Sequence, residues 1–338
     1  MFVYMICFLL SIVLLIRVLT YGKVVDISMI LLIIAVAIGN GGFFALASSQ
    51  NLQEAILANT ISYVIGIFAP IIVFHIICSI CRIRIPGALS LTAYIIQMII
   101  YVSLFTVGKT PLFYRTVEFH ADPPAYLTKT YGPMHTAYLI SLIFYTLASL
   151  ITGLVSLERK TVVSRTNVII LVFVNMLGVG VYILERLTHV KTELMPVFYV
   201  FAFMVLMVPL LRVYRYSVYN NQDIFRQQIS KTGYIVFDMK LRYMGCSEYA
   251  VTLFPELSTW ELEKKIPGSG GRFNTFLRQP LMKYEKDETG AEVLRSSYEY
   301  KSEIYSYEIS CLYSSGKRAR GYIIQVNCIT DAVVGESV

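Results

Sequence analysis

Seven apolar runs constrain this chain more than any other feature: 2–20, 27–48, 58–80, 87–107, 134–156, 166–184 and 194–211. At ~1.5 Å of rise per residue, each can cross a hydrocarbon core of roughly 30 Å as a helix. Across all seven, the one Lys, Arg, Asp or Glu is Arg17, placed near enough to a run's end to reach the interface. The first run lacks a basic start and an A-x-A-like cleavage pattern, so it reads as a retained helix. The chain changes character near Arg212. Residues 1–212 carry 13 Lys+Arg and 7 Asp+Glu, whereas the shorter stretch 213–338 carries 16 and 15. A membrane half is joined to a soluble half, which disfavours a soluble enzyme and any nucleic-acid partner.

The loops set the orientation. With the N-terminus outside, the inner segments hold Arg17, Lys23, Arg82, Arg84, Arg159, Lys160, Arg165 and Arg212. The outer segments hold Lys109, Arg115, Lys129, Arg186 and Lys191. Eight basic residues against five favour N-out, C-in, because cytoplasmic loops retain Lys and Arg. The formal net charge of +7 is concentrated in those inner segments, so it reports orientation. None of the six cysteines falls in an outer loop, which leaves no extracellular disulfide framework. Cys78 and Cys81 end an apolar helix with no second pair, a packing role rather than a metal site.

The polar candidates for a route through the bilayer are Asn40 inside Gly39-Asn40-Gly41-Gly42, His75, Gln97 and Asn175. A transporter needs ionisable groups or broken helices near the midplane, so this reading is disfavoured. No Lys occurs between Lys191 and Lys231, which excludes a retinal Schiff base in the last run.

The connection 108–133 is long and aromatic, with Phe113, Tyr114, Phe119, Tyr126 and Tyr131 among Pro111, Pro123 and Pro124. Loops of that length are functional or mobile. His120 and His135 lie at or near the same face, as do His189 and Glu193. We take His120, Tyr131, His135 and Glu193 as the candidate ligand-binding residues. The plainer alternative is the aromatic belt found at membrane interfaces. The spacing matches no metal motif, and no metal or cofactor is expected.

In the soluble half, TGYIVFD and KLRYMGC read as strands around a Met239-Lys240 turn. SEYAVTLF reads as a helix capped by Ser247 and closed by Pro255. A glycine-rich break at 267–271 precedes a short helix at 272–279, and strands follow at 291–300, 303–313 and 319–329. The pattern is α+β with an antiparallel five-stranded sheet. No His follows His189 and there is no phosphate-binding glycine loop, so neither a catalytic site nor an enzyme is expected.

Four segments carry a family resemblance. YGPMHTAYLISLIFY (131–145) and TELMP (192–196) resemble the entries to the fifth and seventh spans of bacterial histidine kinase N-terminal seven-helix domains. The stretch from Arg212 to Phe254 resembles that family's Arg-rich exit, linking helix and PAS start. ARGYIIQVNCITD (319–331) resembles a final PAS strand. Met134 and His135 stand where aromatics are usual, Cys246-Ser247 where an Asn opens the first PAS helix, and Cys328 where an Asp is common.

The resemblance implies a seven-transmembrane sensor domain over 1–212, a signalling linker helix over 213–230, a cytoplasmic PAS-like domain over 231–331 and a tail over 332–338. It also implies a bacterial inner-membrane location, a homodimer formed through linker and PAS domain, and a cytoplasmic effector. The ligand of the PAS domain is left open. No kinase or cyclase module follows the last strand, so the expectation is a sensor without its own output. The alternative is the N-terminal part of a diguanylate cyclase or histidine kinase.

Overall fold

The computed structural model describes residues 1–20, 27–81, 83–158, 164–188, 193–216, 232–267, 271–286, 294–301, 303–313 and 319–329. The chain divides into two compact units. The first comprises Met1–Glu158 with Thr166–Leu211, the second Arg159–Arg165 with Arg212–Val338. Of the expected linker helix, only 213–216 is described, as the end of a helix. The rest of that linker, the 332–338 tail, His189, Lys191, Lys23, Arg82, Arg159 and Lys160 lie outside the described residues.

The first unit is helical. Its helices are α1 (Phe2–Thr20), α2 (Ile27–Ala47), α3 (Leu52–Ile80), α4 (Gly87–Val102), α5 (Pro133–Ser156), α6 (Arg165–Thr188) and α7 (Met195–Tyr216). Among the described residues, six helical segments are long and apolar enough to cross a membrane; the apolar part of α7, Met195–Val208, is shorter. Large apolar side chains stand exposed along them, including Val13, Ile95, Ile99, Ile140, Phe144 and Phe173. In water such a surface would drive association, whereas hydrocarbon solvates it. The length and composition are those of a multi-pass membrane protein.

α2 and α3 form the best-buried pair, and their contact depends on missing side chains. A Cβ on Gly42 would lie 2.3 Å from the Ser62 backbone nitrogen, so only glycine permits this approach. Asn40, wholly buried beside it, donates through Nδ2 to Ser11 Oγ of α1 at 3.0 Å. At its N-terminus α3 is closed by a capping arrangement. Asn51 accepts from the Glu54 amide at 2.9 Å, and Glu54 Oε2 accepts from the Gln50 amide at 2.9 Å.

The connection expected as an irregular loop is instead an antiparallel hairpin, β1 (Tyr114–His120) and β2 (Tyr126–Tyr131). Its sequence holds the reason. Thr116, Val117, Glu118 and Phe119 alternate polar and apolar, and Val117, Phe119 and Leu127 turn inward onto Leu46, Ala55 and Ala58. The turn end is tied to α2, where the Ala125 amide donates to the Ala47 carbonyl at 3.2 Å. The base closes at Gly132, whose amide donates to the Phe113 carbonyl at 2.8 Å. A Cβ there would meet the Pro111 and Leu112 carbonyl oxygens at 2.4 Å.

The second unit is an antiparallel sheet in the order β4-β3-β7-β6-β5, made of β3 (Gly233–Asp238), β4 (Tyr243–Cys246), β5 (Leu294–Tyr300), β6 (Glu303–Tyr313) and β7 (Ala319–Cys328). Asp238 builds the first turn: Oδ1 accepts from the Lys240 and Arg242 amides, both at 2.9 Å, and Oδ2 pairs with Arg242. Ser247 caps α8 (Glu248–Leu253) by accepting from the Ala250 amide at 3.2 Å. α9 (Gly271–Lys286) continues past Pro280, where a shorter helix ending at 279 was expected. Phe273, Phe276, Leu277, Leu281 and Tyr284 form one buried stripe that spans the proline, and its packing offsets the lost backbone bond. Helices and sheet enclose a ring-filled core, in which Phe276 stacks on Tyr298 at 3.8 Å and Phe254 on Phe273 at 4.7 Å.

Candidate functional site

The hairpin lies over helix ends, and side chains from three elements converge at its base. α3 contributes Asn59 and Tyr63, four residues apart and therefore on one face. The segment entering the hairpin contributes Phe113 and Tyr114. α5 contributes His135 and Tyr138. Asn59, Phe113, Tyr114, His135 and Tyr138 are all buried. Tyr63 meets Phe113, Tyr114 and Tyr138 edge-on at 5.2, 6.3 and 5.6 Å.

His135 is surrounded by rings. Tyr131 stacks on it at 3.8 Å and 17°, while Phe113 and Tyr138 approach edge-on, each at 5.5 Å. Tyr131 closes the hairpin and His135 opens α5, so this stack fastens β2 to that helix.

A second fastening ties β2 to α3. Lys129 Nζ donates to Asn59 Oδ1 at 2.6 Å and stands 5.6 and 5.9 Å from the ring centres of Tyr114 and Tyr63. An ammonium over aromatic faces is attracted by the ring quadrupoles, more so where water is excluded. Asn59 Nδ2 in turn donates to the Tyr114 hydroxyl at 3.3 Å. Burial, chiefly, pushes that hydroxyl well above the ordinary tyrosine range; hydrogen bonding with Tyr63 and Asn59 opposes it, and Tyr131 and Glu193 add to it. Tyr114 is therefore a neutral hydroxyl at physiological pH.

Glu193 enters from the α6–α7 side. Its backbone amide donates to the Tyr4 hydroxyl of α1 at 2.8 Å. The neighbouring Glu185 has a structural task. Its Oε1 accepts from the Leu194 amide and from the Met195 amide at 2.7 Å, closing the N-terminus of α7.

Of the four residues expected at the site, Tyr131 and His135 are in direct contact, whereas Glu193 meets Tyr4 of α1 through its backbone amide. His120 is elsewhere. It pairs with Tyr126 at the turn end, stacked at 4.6 Å with Thr128 Oγ1 2.9 Å from Nε2. That is ~20 Å along the strand from the hairpin base at Tyr114. Asn59, Tyr63, Lys129, Tyr138 and Tyr4 were not among the expected residues. The Asn59/Tyr63 pair in an apolar run was the available signal. Among the described residues no group of His, Cys, Asp and Glu has the arrangement to hold a metal ion.

The class that fold and site define is a multi-pass helical protein with a hairpin fastened over its helix ends and a separate antiparallel α+β unit. No family model and no curated protein matches the chain.

Proposed function

We propose that the chain is a bacterial inner-membrane sensor that passes an extracytoplasmic or intramembrane signal to a cytoplasmic PAS-type unit, and through it to a separate effector. In this reading 1–212 is a seven-transmembrane sensor domain oriented N-out, C-in, with α7 as its last span. The chain acts as a non-enzymatic homodimer paired through the linking helix and the PAS-type unit.

One observation carries the proposal: the hairpin is fastened to two different helices, by Lys129 to Asn59 of α3 and by Tyr131 to His135 of α5. A ligand that shifts the hairpin must strain or break one of these contacts, and a long helix transmits such a shift as a rigid body. The order of the second unit, two strands, helices and then three strands in one antiparallel sheet, supports the PAS-type assignment. The distribution of Lys and Arg supports the orientation.

Cysteine labelling tests the arrangement. A membrane-impermeant maleimide is expected to label Thr128→Cys in intact cells and Ser297→Cys only after permeabilisation. Labelling of Ser297→Cys from outside would overturn the reading.

A further inference from the structure

We propose that Asn59, Tyr63 and Tyr114 form a binding site for a primary ammonium group. The chain keeps this site filled with its own Lys129, and an external alkylammonium enters by displacing that side chain. The proposal rests on the sensor reading, to which it adds the class of signal and the contact that holds the resting state.

Direct contacts define the site. Lys129 Nζ donates to Asn59 Oδ1 at 2.6 Å and stands 5.6 Å from the ring centre of Tyr114 and 5.9 Å from that of Tyr63. The acceptor is held in position, because the other end of the same amide donates from Nδ2 to the Tyr114 hydroxyl at 3.3 Å. Asn59 and Tyr114 are each 2% exposed, so the group they receive is set into the protein. One neutral oxygen beside two aromatic rings suits a primary ammonium, which is attracted by the ring quadrupoles and donates strongly to the oxygen. A small hydrated metal ion would need several oxygen ligands in that place.

Lys129 occupies this place as a tethered ligand. Alternation along β2 turns it inward while Thr128 and Thr130 on either side are exposed. It is itself only half-buried, so the site opens to the surface along its stem. The hairpin does not depend on it alone: Ala125 is tied to Ala47, Tyr131 lies on His135, and Leu127 packs on Leu46, Ala55 and Ala58. The ammonium can therefore withdraw without the hairpin leaving the helices. A short tether presents its group at an effective concentration on the order of millimolar. An external alkylammonium of similar intrinsic affinity displaces Lys129 once it exceeds that concentration. β2 then keeps its stack on α5 and loses its bond to Asn59.

The full chain in lipid nanodiscs tests this with n-propylammonium chloride, which replaces the group that Lys129→Ala removes. Calorimetric titration should show saturable binding to Lys129→Ala, weakened roughly tenfold or more in Lys129→Ala/Asn59→Leu. n-Propanol, of similar shape without the charge, should not bind. In the wild type, roughly 100 mM n-propylammonium, well above the effective concentration of the tether, should accelerate amide exchange across Tyr114–Tyr131. Sodium chloride at the same ionic strength should not, nor should tetramethylammonium, which has no N–H to donate. The wild-type measurement needs no substitution, so it decides whether or not Lys129→Ala folds. Absence of saturable binding to folded Lys129→Ala, equal binding by its Asn59→Leu derivative, equal binding of n-propanol, or unchanged wild-type exchange overturns the proposal. Amine-dependent exchange in the hairpin supports the site even if residues 232–329 do not respond; that response bears on the sensor reading alone.

Discussion

The rings of Tyr131 and His135 lie face to face, 3.8 Å between centroids and 17° apart in plane. Tyr131 is 40% exposed and His135 is 1% exposed, so one face of the pair meets solvent while the other is set in the helices. A disturbance at the surface is thereby carried onto the first turn of α5.

The stack predicts a measurable coupling. In a double-mutant cycle of Tyr131→Ala and His135→Ala, followed by thermal unfolding of the detergent-solubilised chain, the two changes should be non-additive by about 0.5–1.5 kcal/mol. Strict additivity would mean that the rings meet without stabilising one another.

The Lys129 fastening makes a separate prediction. Lys129→Met keeps the aliphatic stem but leaves the Asn59 acceptor without its ammonium donor, a loss of about 1–3 kcal/mol for a buried group. Amide exchange across Tyr114–Tyr131 should accelerate, and exchange in α4 should not. Unchanged exchange in the hairpin would show that the ammonium does not hold it.

Two glycines should respond oppositely to the same change. Gly42→Ala places a methyl 2.3 Å from the Ser62 backbone nitrogen, and forcing α2 from α3 should cost about 1–3 kcal/mol. A Cβ on Gly180 meets nothing within 4 Å, so Gly180→Ala should stabilise α6 by about 0.5–1 kcal/mol. Comparison of the two melting temperatures with that of the wild type checks both.

The second unit carries its own reporter, because the one tryptophan of the chain, Trp260, is buried in its core. Burial by itself raises the Glu256 carboxyl, but hydrogen bonds from Tyr300 and Lys301 outweigh it and hold the group below its ordinary 4.5. A carboxyl lowered in the folded state stabilises the fold above the unfolded value, and loses that contribution as pH falls through the folded one. Denaturation of the full chain followed by Trp260 fluorescence should show stability falling as pH drops below 4.5. That component should be missing in Glu256→Gln. Parallel pH profiles for the two proteins would contradict the assignment.

Much of the fold was legible because it rests on local periodicity. Apolar runs gave the helices of the first unit, and alternation with Ser247 and Pro255 gave most of the second. Two elements escaped for physical reasons. The β1–β2 hairpin was hidden because Asp122, Pro123 and Pro124 dominate its centre, although Thr116–Phe119 alternate in period two. α9 was cut short at Pro280, because a proline's local penalty is visible in sequence whereas the packing of Phe276, Leu281 and Tyr284 is not. At the site, Tyr131 and His135 were legible as aromatic and ionisable residues at one face. Lys129 on Asn59 was not, since their pairing spans 70 residues and depends on tertiary contact. His120 shares their loop but not their cluster, because strand geometry separates the two ends of a hairpin.

The central claim is that a change at the hairpin base reaches the second unit, and hydrogen–deuterium exchange on the full chain in lipid nanodiscs tests it most directly. Tyr131→Ala should alter exchange both in Tyr114–Tyr131 and in at least one peptide within 232–329. If the hairpin responds while every peptide from 232–329 superimposes on the wild type, the two units are not coupled through this site and the sensor account is wrong.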